Sequence, residues 1–118
     1  MIETQITIKD RLSDLMIEIP SGEVSLRDDR TKQKWTETID SFYISKYLVT
    51  QDLFHEVTNK NPSTFKGSKK PVETVSWLDC VKFCNALSEK VGLKLYYLVD
   101  NEKTDFKINE YSNGYRLP

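Results

Sequence analysis

Between residues 76 and 92 the apolar positions recur at helical spacing. Trp77, Cys80, Val81, Cys84, Leu87 and Val91 line one stripe, with polar residues between them. Both ends of this stretch carry boundary signals. Ser76 predicts an N-cap, Asp79 completes a capping box, and Val75 with Cys80 is spaced as a hydrophobic staple. Lys90 suits the negative end of the helix dipole, and Gly92 can take the left-handed cap. Ahead of the helix, Pro71-Val72-Glu73-Thr74-Val75 predicts a short extended lead-in, because proline cannot continue a preceding helix. A second, shorter helix is predicted after Thr50 as its cap. Asp52 falls in its first turn, Leu53, Phe54 and Val57 form its inner face, and Asn59-Lys60-Asn61-Pro62 ends it.

The remaining apolar positions alternate or run in short clusters. Ile2, Ile6 and Ile8, then Leu12 and Leu15, predict an edge strand and a short turn over residues 1–15. Residues 15–19 predict a strand closed by Pro20-Ser21-Gly22, with Val24-Ser25-Leu26 as its returning hairpin partner. Residues 27–34 are polar and read as a solvated loop. Aromatic and β-branched residues make 35–44 a strand with imperfect alternation, extended or kinked by 46–49. After the main helix, 93–99 predicts a strand, 100–105 a turn and 106–108 a returning strand, while Asn113-Gly114 is a tight-turn dipeptide. Two helices packed on short antiparallel strands make this an α+β chain, one domain or part of one.

Hydrophobic content is 38% of the 118 residues, low for a globular domain, and two Trp, six Tyr and five Phe compensate by the area each can bury. The net charge is -1 with both signs mixed along the chain, so electrostatics gives no case for nucleic acid or an anionic membrane as partner. No apolar run is long enough to span a bilayer, and residues 1–10 lack the apolar core of a signal peptide. The expected location is cytoplasmic. Cys80 and Cys84 read as small core hydrophobes in a reducing compartment, with no second Cys or His pair to complete a metal site.

Candidate chemistry is sparse. His55-Glu56-Val57-Thr58-Asn59 begins as a zinc helix does but has Asn59 where the second histidine belongs, so His55 reads as a surface or half-buried helix residue. The chain has no Gly-rich phosphate loop or nucleophile elbow, and its carboxylates do not group into an acid/base pair. Trp77 and Phe42 read as core, Thr50 and Ser76 as helix caps, and Asp79 as the acid of the capping box. Arg116 reads as half of an ion pair pinning the chain's end. Residues 59–70, with Pro62, Gly67 and four lysines, read as a solvated basic loop. No catalytic, cofactor-binding or metal-ligating residue is expected in this chain.

Four ordered segments resemble the formylglycine-generating enzyme family, also called the sulfatase-modifying factor family. They are Met16-Ile17-Glu18-Ile19-Pro20-Ser21-Gly22-Glu23-Val24, Phe42-Tyr43-Ile44-Ser45-Lys46-Tyr47-Leu48-Val49-Thr50, the stretch from Pro71 through Val75, Ser76 and Trp77 to Asp79, and Gly114-Tyr115-Arg116-Leu117-Pro118. Cys80 stands where the family pattern has alanine. The resemblance covers about residues 16–118 of a single partial domain, 1–118. It implies a C-type-lectin-like α+β fold with Val49-Thr50 opening one helix and Ser76 the next. It also implies that copper, calcium and the catalytic cysteine pair belong to a C-terminal half absent from this chain, and that Cys80 and Cys84 are not that pair. The resemblance thus implies the N-terminal part of such a domain, not catalytic on its own. Its apolar face at Trp77, Val81 and Leu87 would be covered by a protein partner or by the missing half. Two alternatives stand beside it: a non-catalytic C-type-lectin-like binding module, and part of an oxidoreductase like the iron-dependent sulfoxide synthases.

Overall fold

The computed structural model describes residues 8–100 and 105–118. The chain divides into two compact units, Met1–Tyr47 and Leu48–Pro118.

In the first unit, Ile8–Leu15 is a helix, α1, where the alternation of Ile6 and Ile8 predicts a strand and turn. Ile8, Leu12 and Leu15 are spaced for one helical face, Asp10 lies in the first turn, and Leu12 is buried, so helical packing outweighs the alternation. Ile2 and Ile6 lie outside the described residues. Four strands follow: β1 (Met16–Ile19), β2 (Gly22–Asp28), β3 (Gln33–Ile39) and β4 (Phe42–Ser45). The expected hairpin between β1 and β2 does not form. β1 pairs with β4 (Met16↔Ser45 to Ile19↔Phe42) and β2 with β3 (Gly22↔Ile39 to Asp28↔Gln33), all antiparallel. The two pairings share one register, and Pro20 and Ser21 face Asp40 and Ser41 across the gap. The result is one nested hairpin interrupted where Pro20 has no N–H to give the ladder. The polar stretch 27–34 shrinks to a tight turn, with Lys32 at φ 59° and Asp28 accepting from the Arg30 N–H at 2.9 Å.

The second unit is built on two helices, α2 (Gln51–Thr58) and α3 (Trp77–Lys90). Leu53, Phe54 and Val57 are buried as expected, and Phe54 stacks on Phe83 of α3 with ring centroids 5.3 Å apart. Thr50 takes the N-cap position, but its hydroxyl accepts nothing from the helix and instead donates to the Asp52 carboxylate. The first amides of α2 have other acceptors. The Gln51 N–H bonds the Lys70 carbonyl (2.9 Å) and the Asp52 N–H the Ser68 carbonyl (3.0 Å). Asn59 closes α2 in the left-handed region, its N–H on the His55 carbonyl.

α3 has the predicted start. The Ser76 hydroxyl accepts from the Asp79 N–H (3.1 Å), and the Asp79 carboxylate accepts from the Ser76 N–H (3.0 Å). Gly92, at φ 77°, turns the chain, and the Leu93 N–H returns to the Ser88 carbonyl (2.9 Å). The expected stripe is corrected at two positions. Trp77 is 56% exposed, and Phe83, between the stripe positions, is buried instead; of the face expected to need outside cover, Val81 and Leu87 are buried within the chain and only Trp77 is open. α3 is covered on more than one side, by α2 at Phe83 and by the following chain at Asn85 and Ser88, so its buried surface is wider than a single stripe. Phe42, the other expected core aromatic, is 41% exposed. β5 (Tyr97–Asp100) and β6 (Asp105–Ile108) then pair antiparallel, as the returning strand predicts.

Candidate functional site

The groups with chemical potential are placed apart or quenched. His55 is exposed on α2. Both thiols are free. Burial raises the Cys80 thiol above its ordinary value, and burial followed by the neighbouring Cys80 pushes the Cys84 thiol up to about 11. Neither thiol is activated as a nucleophile. Among the described residues, no group of three or more His, Cys, Asp or Glu is placed to hold a metal ion, and no helix is long and apolar enough to cross a membrane.

What the second unit builds instead is a rigid loop between α2 and α3. Gln51 is 1% exposed and fills every polar valence of its amide. Its Nε2 donates to the Phe65 carbonyl (2.9 Å) and the Pro71 carbonyl (3.3 Å), while its Oε1 accepts from Asn61 Nδ2 (3.2 Å) and the Gly67 N–H (3.1 Å). Ser63, also buried, gives its hydroxyl to the Glu73 carbonyl (3.3 Å) and accepts from the Glu73 N–H (3.0 Å). The Glu73 carboxylate accepts from the Thr64 N–H (2.5 Å), the Phe65 N–H (3.2 Å) and the Thr74 hydroxyl (2.6 Å). These bonds, the Thr74 hydroxyl first, hold its carboxyl below the ordinary value of 4.5. Thr74 sits at φ 58°, a costly conformation for a β-branched residue, fixed by its hydroxyl contacts to Glu73 and Thr64 (3.1 Å). Out of this framework Phe65 projects 73% exposed.

A second construction secures the chain's last residues. The Ser88 hydroxyl, fully buried, donates to the Cys84 carbonyl (2.9 Å) and accepts from the Tyr115 N–H (2.7 Å). The Tyr97 hydroxyl accepts from the Leu117 N–H (3.0 Å). Ser112 donates to the Lys94 carbonyl (2.6 Å), and Asn113 accepts from the Lys94 N–H (3.0 Å). Asn113-Gly114 is therefore a docking point and not a hairpin turn. Gly114 lies so close to the Lys94 carbonyl oxygen and the Ser88 hydroxyl that a Cβ would collide with both. Arg116 finds no carboxylate among the described residues. Its guanidinium lies over the Tyr96 ring, 5.3 Å from the centroid, and donates to the Tyr96 hydroxyl (3.3 Å).

Within the second unit the family-motif positions do not converge on one point. Phe42 belongs to the first unit; Val49, Thr50 and Pro71 lie at the base of the rigid loop, with Thr50 bridged to Pro71 and the Val72 N–H on the Val49 carbonyl (2.8 Å); Val75 precedes the cap, and Ser76, Trp77 and Asp79 open α3; Arg116 lies with the docked tail. The residues that organise the loop, Gln51 and Glu73, carry no sequence signal separating them from surface Gln and Glu. Only Phe65, a lone aromatic in a polar stretch, stands out in the sequence.

Residues 4–118 match the family described as sulfatase-modifying factor enzyme 1-like domain. A protein of Paenibacillus barcinonensis named chaperone protein LppX is 47% identical over a match covering 69% of this chain and 34% of that protein. Among solved structures, variable protein 1 of Treponema denticola superposes with a TM-score of 0.72 at 26% identity, covering 87% of this chain and 48% of that one. CarF superposes with a TM-score of 0.64 at 25% identity, covering 88% and 52%. The chain thus spans about a third of the length of the curated relative and about half of each solved structure.

Proposed function

Since the chain belongs to the sulfatase-modifying factor enzyme family, with an α+β fold resembling the N-terminal half of its C-type-lectin-like architecture, we propose that it is the N-terminal part of a formylglycine-generating-enzyme-like domain and does not catalyse on its own. The observation that carries the reading is the exposure of Phe42 (41%) and Trp77 (56%), two family-motif aromatics whose sequence context marks them as core. Aromatics of this size left open at motif positions support a cover by further polypeptide. In this reading the cover is the second half of the domain, carried on the same chain or supplied by a partner, and it brings any copper or calcium. The two cysteines here, held as protonated thiols on α3, stay structural. A cytoplasmic location is part of the proposal.

The test is the intact mass and C-terminal sequence of the protein from its natural source, together with a Cu(I) titration of the 118-residue chain. The proposal expects a chain or a bound partner extending past Pro118 and no tight Cu(I) binding. A natural chain ending at Pro118 that melts cooperatively as a monomer with native-like hydrogen-exchange protection would overturn it. A second reading, a non-catalytic protein-binding module, is favoured by the relative at 47% identity that bears the name of a chaperone.

A further inference from the structure

Phe65 combines two properties that seldom occur together: its side chain is 73% exposed, and its backbone is clamped on both sides. Its N–H is held by the Glu73 carboxylate and its carbonyl by the buried Gln51 amide, while the flanking amides of Thr64 and Gly67 are bonded to the same two side chains. An aromatic presented on an already ordered backbone meets a partner without the ordering cost a flexible loop tip incurs. The loop that carries it is basic in sequence. Residues 59–74 hold Lys60, Lys66, Lys69 and Lys70 against Glu73 alone, a net +3 (four minus one) in a chain whose overall charge is -1. All four lysines are exposed, and Glu73 turns its charge onto the loop's own amides. Lys69 keeps an ion pair to Asp52 at 3.3 Å while 86% of its side chain stays exposed, and Lys66 rests on the Asn61 carbonyl at 2.6 Å. Such surface contacts are worth little and exchange readily.

From this we infer that the loop between α2 and α3 is a recognition loop for an acidic polypeptide segment with an apolar side chain at its centre. Phe65 is the anchor, and the lysines around it pair with the segment's carboxylates. This deepens the protein-binding reading and rests on it. A lipid surface is the poorer fit, because one aromatic ring and a few lysines on a chain of net negative charge give only marginal membrane attachment.

The experiment pans a random twelve-residue peptide library on the folded chain and measures the selected peptides against wild type, Phe65→Ala and the triple variant Lys66→Ala, Lys69→Ala, Lys70→Ala. The expected result is a consensus of Asp or Glu flanking an aromatic or aliphatic residue. Binding is weakened about tenfold or more by Phe65→Ala. It is also weakened by the triple variant and by raising salt from about 50 to about 300 mM. Peptides that bind Phe65→Ala as well as wild type would overturn the loop assignment and leave the binding reading standing. No enriched peptide at all would overturn both. Phe65-dependent binding to vesicles containing phosphatidylserine, without a peptide consensus, would reassign the loop to a lipid surface.

Discussion

Gln51 carries four hydrogen bonds on one buried amide, and no isosteric apolar side chain replaces any of them. Gln51→Leu leaves the Phe65 and Pro71 carbonyls and the Gly67 N–H without these partners and should cost about 2 kcal/mol of stability, read from the urea midpoint. Glu73 acts at the surface and through protons. Its carboxyl is held below its ordinary value, so the folded state prefers the charged form; its contribution is present above the unfolded pKa and is lost as pH falls through the folded one. Glu73→Gln should therefore be less stable than wild type at neutral pH, with the gap in melting temperature closing below about pH 4.5. The cysteines give a third check. With Cys84 near 11, about a thousandth of it is thiolate at about pH 8. Alkylation by iodoacetamide should be slower at Cys80 than for a free thiol and far slower at Cys84, which should react only as fast as the chain opens.

At the scale of elements, the helices are legible because their ends are written in side chains. Ser76 and Asp79 form the capping box that their spacing predicts, and Ser76→Ala should cost about 1 kcal/mol, with faster amide exchange confined to the first turn of α3. Strand pairing is less legible, and the reason lies in one change of phase. In β2 and β3 the apolar pairs sit at Leu26↔Trp35 and at Ile39 opposite Gly22, whereas in β1 and β4 they sit at Ile17↔Ile44 and Ile19↔Phe42. The apolar phase switches at Asp40-Ser41, which in sequence looks like a flaw in a single strand and in structure marks the interruption opposite Pro20. The turn at residues 29–32 is hidden for a related reason: charged residues are equally at home in a loop and on the exposed face of a two-stranded ribbon.

Across the whole molecule, the family motifs are legible and their physical roles only partly so. Trp77 and Phe42 read as core because large aromatics usually are, and exposure depends on what else is present to cover them, which local pattern does not encode. The loop framework is not legible in a stretch that reads as a solvated basic loop, since burial of Gln51 follows from carbonyls contributed by residues far along the chain. Arg116 shows the same limit: an arginine near a chain's end suggests a carboxylate partner, and a tyrosine face serves instead.

The docked tail has a consequence for which substitutions it tolerates. Tyr115 and Leu117 are gripped by their main-chain N–H groups, through the Ser88 and Tyr97 hydroxyls, and both side chains are half-buried besides. Proline at either position has no N–H to give and should release the tail. The segment is addressed in part by its peptide groups, so a scan with proline reports an attachment that a scan with alanine, which keeps every N–H, leaves intact. Release is read as a rise in exchange at the remaining tail amide.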